Sequence, residues 1–165
     1  MPADPLSPPS DTSMPAGPSG AAPGSGPGRM LCFDIYATNL AFGRVYKPLL
    51  DPLGLTYPQY LVMVTLWGAE GPLSVKSIGQ TLSLDSGTLT PLLKRLDAAG
   101  LVTRMRNPDD ERGTLISLTA SGRQMQERAR HVPEAIRKAT GLGMEDLERL
   151  RREITGLRDR LVGME

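Results

Sequence analysis

Apolar positions recur at helical spacing through most of this chain, and the polar residues between them mark where each helix starts and stops. From Leu31, residues Cys32, Ile35, Tyr36, Leu40 and Tyr46 gather on one side of a helix that Pro48 is expected to close. Thr56 caps a second helix with Pro58 in its first turn, where the missing N–H is harmless. Tyr60, Leu61, Val64, Leu66 and Trp67 are expected to form its apolar side, and Gly68 and Gly71-Pro72 to end it. Ser74 caps a short third helix, Val75 to Leu82, with Val75, Ile78, Gly79 and Leu82 inward. After a tight turn, Asp85 caps a fourth, whose Leu89, Leu92, Leu93 and Leu96 fall at i, i+3, i+4, i+7 and which stops at Ala99-Gly100.

The period then changes. Leu101 to Arg106 alternates as a half-buried strand, Asn107 to Gly113 reads as a loop, and Thr114 to Leu118 reads as the returning strand. Thr119-Ala120-Ser121-Gly122 caps a helix to about Val132, and Pro133 starts or bends the next segment. In the last helix Met144, Leu147, Leu150, Ile154, Leu157 and Leu161 are spaced close to a heptad seam, a stripe that generally needs a partner. The expected fold is therefore mainly α with a small β-hairpin wing. A winged helix-turn-helix over about residues 56–118 is flanked by helices of about 31–50 and 119–163 that form a dimerisation layer. Residues 1–29, with eight of the fifteen prolines and few large apolar side chains, are expected to be a disordered tail beside one domain of residues 30–165.

The fourth helix has an unusual outward face. Ser86, Thr90 and Lys94 form one i, i+4, i+8 row, and Gly87, Pro91 and Arg95 the row beside it. Small hydroxyls come first and long cations last. A helix entering the DNA major groove wants this layout, with small groups at base edges and cations at phosphates; a solvated polar face would read the same way in isolation. Arg104 and Arg106 on the strand and Arg112 at the hairpin tip add cations nearby. Pro91 lies too deep for the first turn, so the helix loses one hydrogen bond there.

Composition removes whole classes of function. A formal net charge of +1 gives little steering, so any DNA-binding patch must be local. One cysteine excludes an internal disulfide and a multi-cysteine metal site, and a single histidine argues against histidine-based metal or triad chemistry. With no apolar run of about 18 residues and no signal-peptide pattern at the start, the expectation is a cytoplasmic protein without cofactor or metal, in which Cys32 is reduced.

Taken together, residues 30 to 165 resemble the MarR family of winged-helix repressors. The general signature is Asp110-Glu111-Arg112-Gly113 followed by Ile116-Ser117-Leu118-Thr119-Ala120-Ser121-Gly122. Leu31-Cys32-Phe33, Tyr46-Lys47-Pro48-Leu49-Leu50, Leu55-Thr56-Tyr57-Pro58-Gln59-Tyr60-Leu61 and the Leu84 to Leu96 stretch are more specific. They resemble the organic-hydroperoxide-responsive, OhrR-like branch. The resemblance implies a homodimer on a pseudo-palindromic double-stranded operator. It implies a Cys32 oxidised by organic hydroperoxide; with no partner cysteine in the chain, the sulfenic acid must then condense with an external low-molecular-weight thiol, close on a backbone nitrogen or over-oxidise. Tyr46 and Tyr57 would hydrogen-bond the sulfur across the dimer interface, with Tyr36 beside the site. Ser86, Thr88, Thr90 and Lys94 would belong to the major-groove helix. Arg112 would enter the minor groove, and Asp110 can hold its guanidinium extended. Asp34 departs from the branch as an acid near the thiol, though i+2 on a helix points it away. Gly43 weakens the first helix by about 1 kcal/mol against alanine. No second cysteine lies downstream, so the two-cysteine version of this branch, with its intersubunit disulfide, is excluded.

Each feature also has a plainer reading. A lone cysteine is first a small buried hydrophobe, a tyrosine a core residue with one satisfied hydroxyl, and Arg112 a solvated cation paired to Asp110. The first turn of a helix favours thiolate, and three tyrosines from two helices around one cysteine favour a sensor. Three other functions compete: a one-cysteine thiol peroxidase, a MarR-type regulator of a noncovalent aromatic ligand, and a winged helix used only for protein contacts. Multiple turnovers with a thiol reductant would mark the first, and the absence of salt-dependent duplex binding the last.

Overall fold

A computed structural model of the chain describes residues 27–108 and 110–164; the side chains of residues 110–112 lie outside the described set. The chain divides into two units, Met1–Thr38 and Asn39–Glu165. In the first, Pro27–Arg29 make one turn of 3-10 helix, closed by the Met30 N–H donating to the Pro27 carbonyl at 2.9 Å. These are the last three residues of the segment expected to be a disordered tail, and residues 1–26 lie outside the described residues.

Helix α1 (Leu31–Leu50) begins in the first unit and ends in the second. Pro48 does not close it. The helix runs through the proline to Leu50, at the cost of the hydrogen bond that residue 48 would give the Arg44 carbonyl, before the 3-10 turn Asp51–Leu53.

The second unit continues through α2 (Tyr57–Trp67), β1 (Leu73–Ser74), α3 (Val75–Leu82), α4 (Ser86–Ala98), β2 (Val102–Asn107) and β3 (Asp110–Leu118). It ends in α5 (Ala120–Ala129), α6 (Val132–Thr140) and α7 (Met144–Val162). At Thr56 the backbone N–H donates to Gln59 Oε1 at 2.8 Å, and the threonine hydroxyl donates to the same oxygen at 3.0 Å. Satisfied by that cap, Gln59 is buried beside the core. The apolar side expected for α2 needs correction: Val64 is 42% exposed, whereas Val62 and Met63 are fully buried. Because α2 packs against α3, α4, α5 and β3, it is enclosed on several sides and its sequence carries no clear stripe.

Ser74 Oγ accepts from the Ser77 N–H at 3.0 Å and starts α3. Ser83, in the left-handed region at φ 53°, turns the chain into α4, and the Leu84 N–H donates back to the Gly79 carbonyl at 2.9 Å. At the far end of α4, Gly100 takes φ 69°, the Leu101 N–H reaches the Leu96 carbonyl at 3.0 Å, and the chain leaves as a strand. Ile78, Leu89, Leu93, Leu96, Val102 and Ile116 meet in one core with Met63 and Leu66.

The expected wing hairpin is there as β2 and β3, and β1 adds a third antiparallel strand in the order β1-β3-β2. Leu73 and Arg104 flank Ile116 on either side. The expected loop is mostly strand as well: β3 starts at Asp110, which pairs with Asn107, and a register shift lies between Arg106 and Asn107. Trp67 Nε1 donates to the Gly122 carbonyl at 2.9 Å, and Thr119 Oγ1 to the Gly100 carbonyl at 2.6 Å, tying α5 to the winged part.

On α7, Met144, Leu150, Ile154 and Leu161 are exposed in the single chain, and Leu147 and Leu157 only half-buried. Its charged side chains pair along the helix, as in Asp146–Arg149 at 2.7 Å. Among the described residues no helix is long and apolar enough to cross a membrane.

Candidate functional site

Helix α4 starts from a carboxylate. Asp85 accepts from the Thr88 N–H and from Thr88 Oγ1, both at 2.8 Å, and these two bonds hold its carboxyl below its ordinary 3.8. One turn on, Thr90 Oγ1 donates to the Ser86 carbonyl at 2.7 Å. Both threonine hydroxyl protons are therefore used within the helix. Their oxygen lone pairs and methyl groups remain to meet a ligand, a set suited to amino groups and thymine methyls at base edges. Ser86 is exposed at the N-terminal end, and Lys94 and Arg95 are exposed two turns later. The order of small groups first and cations last, read from spacing, is the order in space.

On β2, Arg104 and Arg106 are exposed and share a strand face with Val102, which is buried at the base. That face leaves the core and becomes cationic toward the hairpin tip. Asp110 and Arg112 belong to β3 by backbone, but the roles expected of their side chains lie outside the described residues.

The sensor residues fall in two places. Cys32 and Tyr36, both exposed, lie one turn apart on the first-unit part of α1. Asp34, between them in sequence, is exposed too. Tyr46 and Tyr57 lie in the second unit and are in contact, ring centroids 4.4 Å apart and planes tilted by 41°. They line a cavity of about 230 Å³ with Gly43, Leu50, Leu55 and Thr56. At its rim Lys47 Nζ pairs with Asp51 at 2.9 Å. Burial, then the neighbouring phenols Tyr57 and Tyr60, push the Tyr46 hydroxyl up to about 12. Burial, then Tyr57, raises Tyr60 as well.

Two aromatic members of this cluster were not among the expected site residues. Tyr60 lies 6.0 Å from Tyr46, and Trp67 lies 6.1 Å from Tyr60 edge-on, so the rings run on as a chain. Their signal was present: Tyr57, Tyr60 and Trp67 follow one another at i, i+3 and i+10, all on the inner side of α2.

Comparison with known proteins agrees with this architecture. Residues 44–128 match the family model of the transcriptional regulator SarA/Rot. The organic hydroperoxide resistance transcriptional regulator of Bacillus subtilis is 49% identical over 121 residues, 73% of this chain and 82% of its own length. The reduced AbfR of Staphylococcus epidermidis, solved bound to DNA, is 38% identical with a TM-score of 0.68, covering 80% of this chain and 91% of its own. AbfR has also been solved overoxidised on DNA and in a disulfide form. Wild-type MarR of Escherichia coli is 27% identical with a TM-score of 0.60, covering 77% of this chain and 96% of its own. The chain belongs to the MarR family of winged-helix transcriptional regulators, in the branch of the organic hydroperoxide resistance regulators.

Proposed function

We propose that this chain is a homodimeric, cytoplasmic repressor that binds a pseudo-palindromic double-stranded operator and releases it when an organic hydroperoxide oxidises Cys32. The observation that carries the sensing part is the Tyr46–Tyr57 contact, two phenols converging on a cavity open to a small molecule. Cys32 stands exposed in the first turn of α1, where an oxidant in solution can reach its sulfur. The thiolate attacks the hydroperoxide, taking one oxygen as sulfenic acid while the alcohol leaves with a proton from solvent. In a chain with one cysteine, an external low-molecular-weight thiol then condenses with the sulfenic acid and releases water. In the proposed dimer, where Tyr46 and Tyr57 of the second chain would face Cys32, the bulky disulfide that results displaces that packing and α1 shifts against its mate. One oxidation per thiol is a switch rather than a turnover, so the reading is of a regulator and not of an enzyme.

For DNA, Ser86, Thr88 and Thr90 meet base edges, and Lys94 and Arg95 meet phosphates. Arg104 and Arg106 lie along the wing, and Arg112, supported by Asp110, enters the minor groove. Arg112→Ala then loses about 1–3 kcal/mol of binding free energy. The test is an operator shift with purified protein, with and without organic hydroperoxide and a small thiol, on wild type and Cys32→Ser. Cys32→Ser is expected to bind as tightly as reduced wild type and to stay bound under hydroperoxide. Release of Cys32→Ser as readily as wild type overturns the sensor assignment.

A further inference from the structure

We propose that Tyr46 and Tyr57 form a modification site, at which oxygen-centred organic radicals couple the two phenols through a ring carbon–carbon bond and so join α1 to α2 covalently. The ring centroids, 4.4 Å apart, stand closer than the roughly 4.5–7 Å usual for aromatic pairs, so ring carbons of the two residues are in contact. Both rings line the same open cavity, which gives a small alkoxyl radical access to both. Tyr60, the third phenol, is 6.0 Å from Tyr46, is 5% exposed and does not line that cavity. The pair is therefore selected twice, by distance and by access.

The chemistry balances. A ferrous ion in solution gives one electron to an organic hydroperoxide, becoming ferric and splitting the O–O bond into hydroxide and an alkoxyl radical. One alkoxyl radical removes the hydroxyl hydrogen atom from Tyr57, a second removes that of Tyr46, and two alcohols leave. The two phenoxyl radicals pair their electrons in a bond between the ring carbons ortho to oxygen. The hydrogen on each of those carbons then moves to oxygen as a proton and restores two phenols. The net change is the loss of one hydrogen atom from each tyrosine. With its hydroxyl pushed up to about 12, Tyr46 keeps its O–H bond at neutral pH, as hydrogen-atom transfer requires.

The bond would span the 3-10 turn Asp51–Leu53 that links α1 to α2. It would fix the angle between those two helices, and α1 is the helix that the proposed Cys32 switch moves. It needs no cysteine, so its chemistry is independent of that switch.

The test treats the purified full chain with tert-butyl hydroperoxide plus ferrous iron, a source of alkoxyl radicals. Trypsin leaves residues 45–76 as one peptide, because Lys47 precedes Pro48, and that peptide holds Tyr46, Tyr57 and Tyr60. The expected product is this peptide lighter by two hydrogen atoms, with dityrosine fluorescence and no fragment ions between Tyr46 and Tyr57. Tyr46→Phe and Tyr57→Phe are each expected to lose it, whereas Tyr60→Phe and Cys32→Ser retain it. Absence of the product in wild type at a radical dose that couples free tyrosine overturns the site. So does its loss in Tyr60→Phe, or a cross-link that joins two chains.

Discussion

Gly79 of α3 lies against the backbone carbonyl of Leu84: a Cβ at position 79 would stand 2.7 Å from that oxygen. The approach is mutual, since the Leu84 N–H donates to the Gly79 carbonyl at 2.9 Å. Only a residue without a side chain lets the turn fold back onto α3 and set the start of α4. Gly79→Ala should therefore destabilise the protein by about 1–3 kcal/mol, as overpacking does. Gly43→Ala should act the other way. Nothing lies within 4 Å of a Cβ there, and alanine gains about 1 kcal/mol over glycine in a helix interior. Thermal melts of the two variants check both signs; a Gly79→Ala melt at or above the wild-type temperature would remove the packing argument.

The elements that the sequence disclosed best were those that begin with local chemistry. Thr56, Ser74, Asp85 and Thr119 all stand at the N-caps expected of them, because a cap is decided by a few residues in a row. What it hid is decided across the fold. Leu73–Ser74 is a strand only because Ile116 and Leu115 lie opposite, and two residues show no alternation. In α2 a nearly continuous apolar run leaves no periodicity to choose Val62 over Val64. The candidate site divides the same way. The polar rows of α4 follow from helical spacing, whereas the contact between Tyr46 and Tyr57 depends on how the turn at Asp51–Leu53 brings two helices together.

Acid should loosen the start of α4. Asp85 has a carboxyl lowered in the fold by the Thr88 bonds, so the unfolded chain binds its proton at a higher pH than the folded chain does. Its contribution to stability is then present above its ordinary 3.8 and is lost as pH falls through the lower folded value. Asp85→Asn keeps an acceptor for the cap and removes the titration. Denaturant melts from pH 5 down to pH 2 should show a shallower fall for Asp85→Asn than for wild type. Equal slopes would mean that Asp85 is not among the groups setting acid stability.

Alkali should act at the tyrosine pair. With the Tyr46 hydroxyl raised from 10.0 to about 12, the unfolded chain gives up its proton first. The contribution of this group is complete below pH 10 and is lost as pH rises through 12. Tyr46→Phe should flatten that part of the stability curve, and absorbance titration should show one fewer late-ionising phenol. A variant that titrates like wild type would place the late ionisation on another tyrosine.

Helix α7 offers the test of the dimer. None of its residues is buried in the single chain, and Leu150, Ile154 and Leu161 are 42%, 50% and 58% exposed. Fully burying side chains of this kind is worth about 1.5–3 kcal/mol each, and a self-complementary interface counts every one twice. A charge at Ile154 would have to be desolvated on both sides of such an interface, while the single chain tolerates it because the position already faces water. Ile154→Glu should leave the melting of the winged part nearly unchanged and sediment as a monomer at micromolar concentration. Two recognition helices held together gain affinity from effective concentration, so the monomer should bind a two-half-site operator about 10²–10⁴ times more weakly and a single half-site unchanged. Arg152→Gln, two positions away on the other side of the helix, should remain a dimer. If Ile154→Glu sediments as a dimer, the seam on α7 does not hold the two chains together.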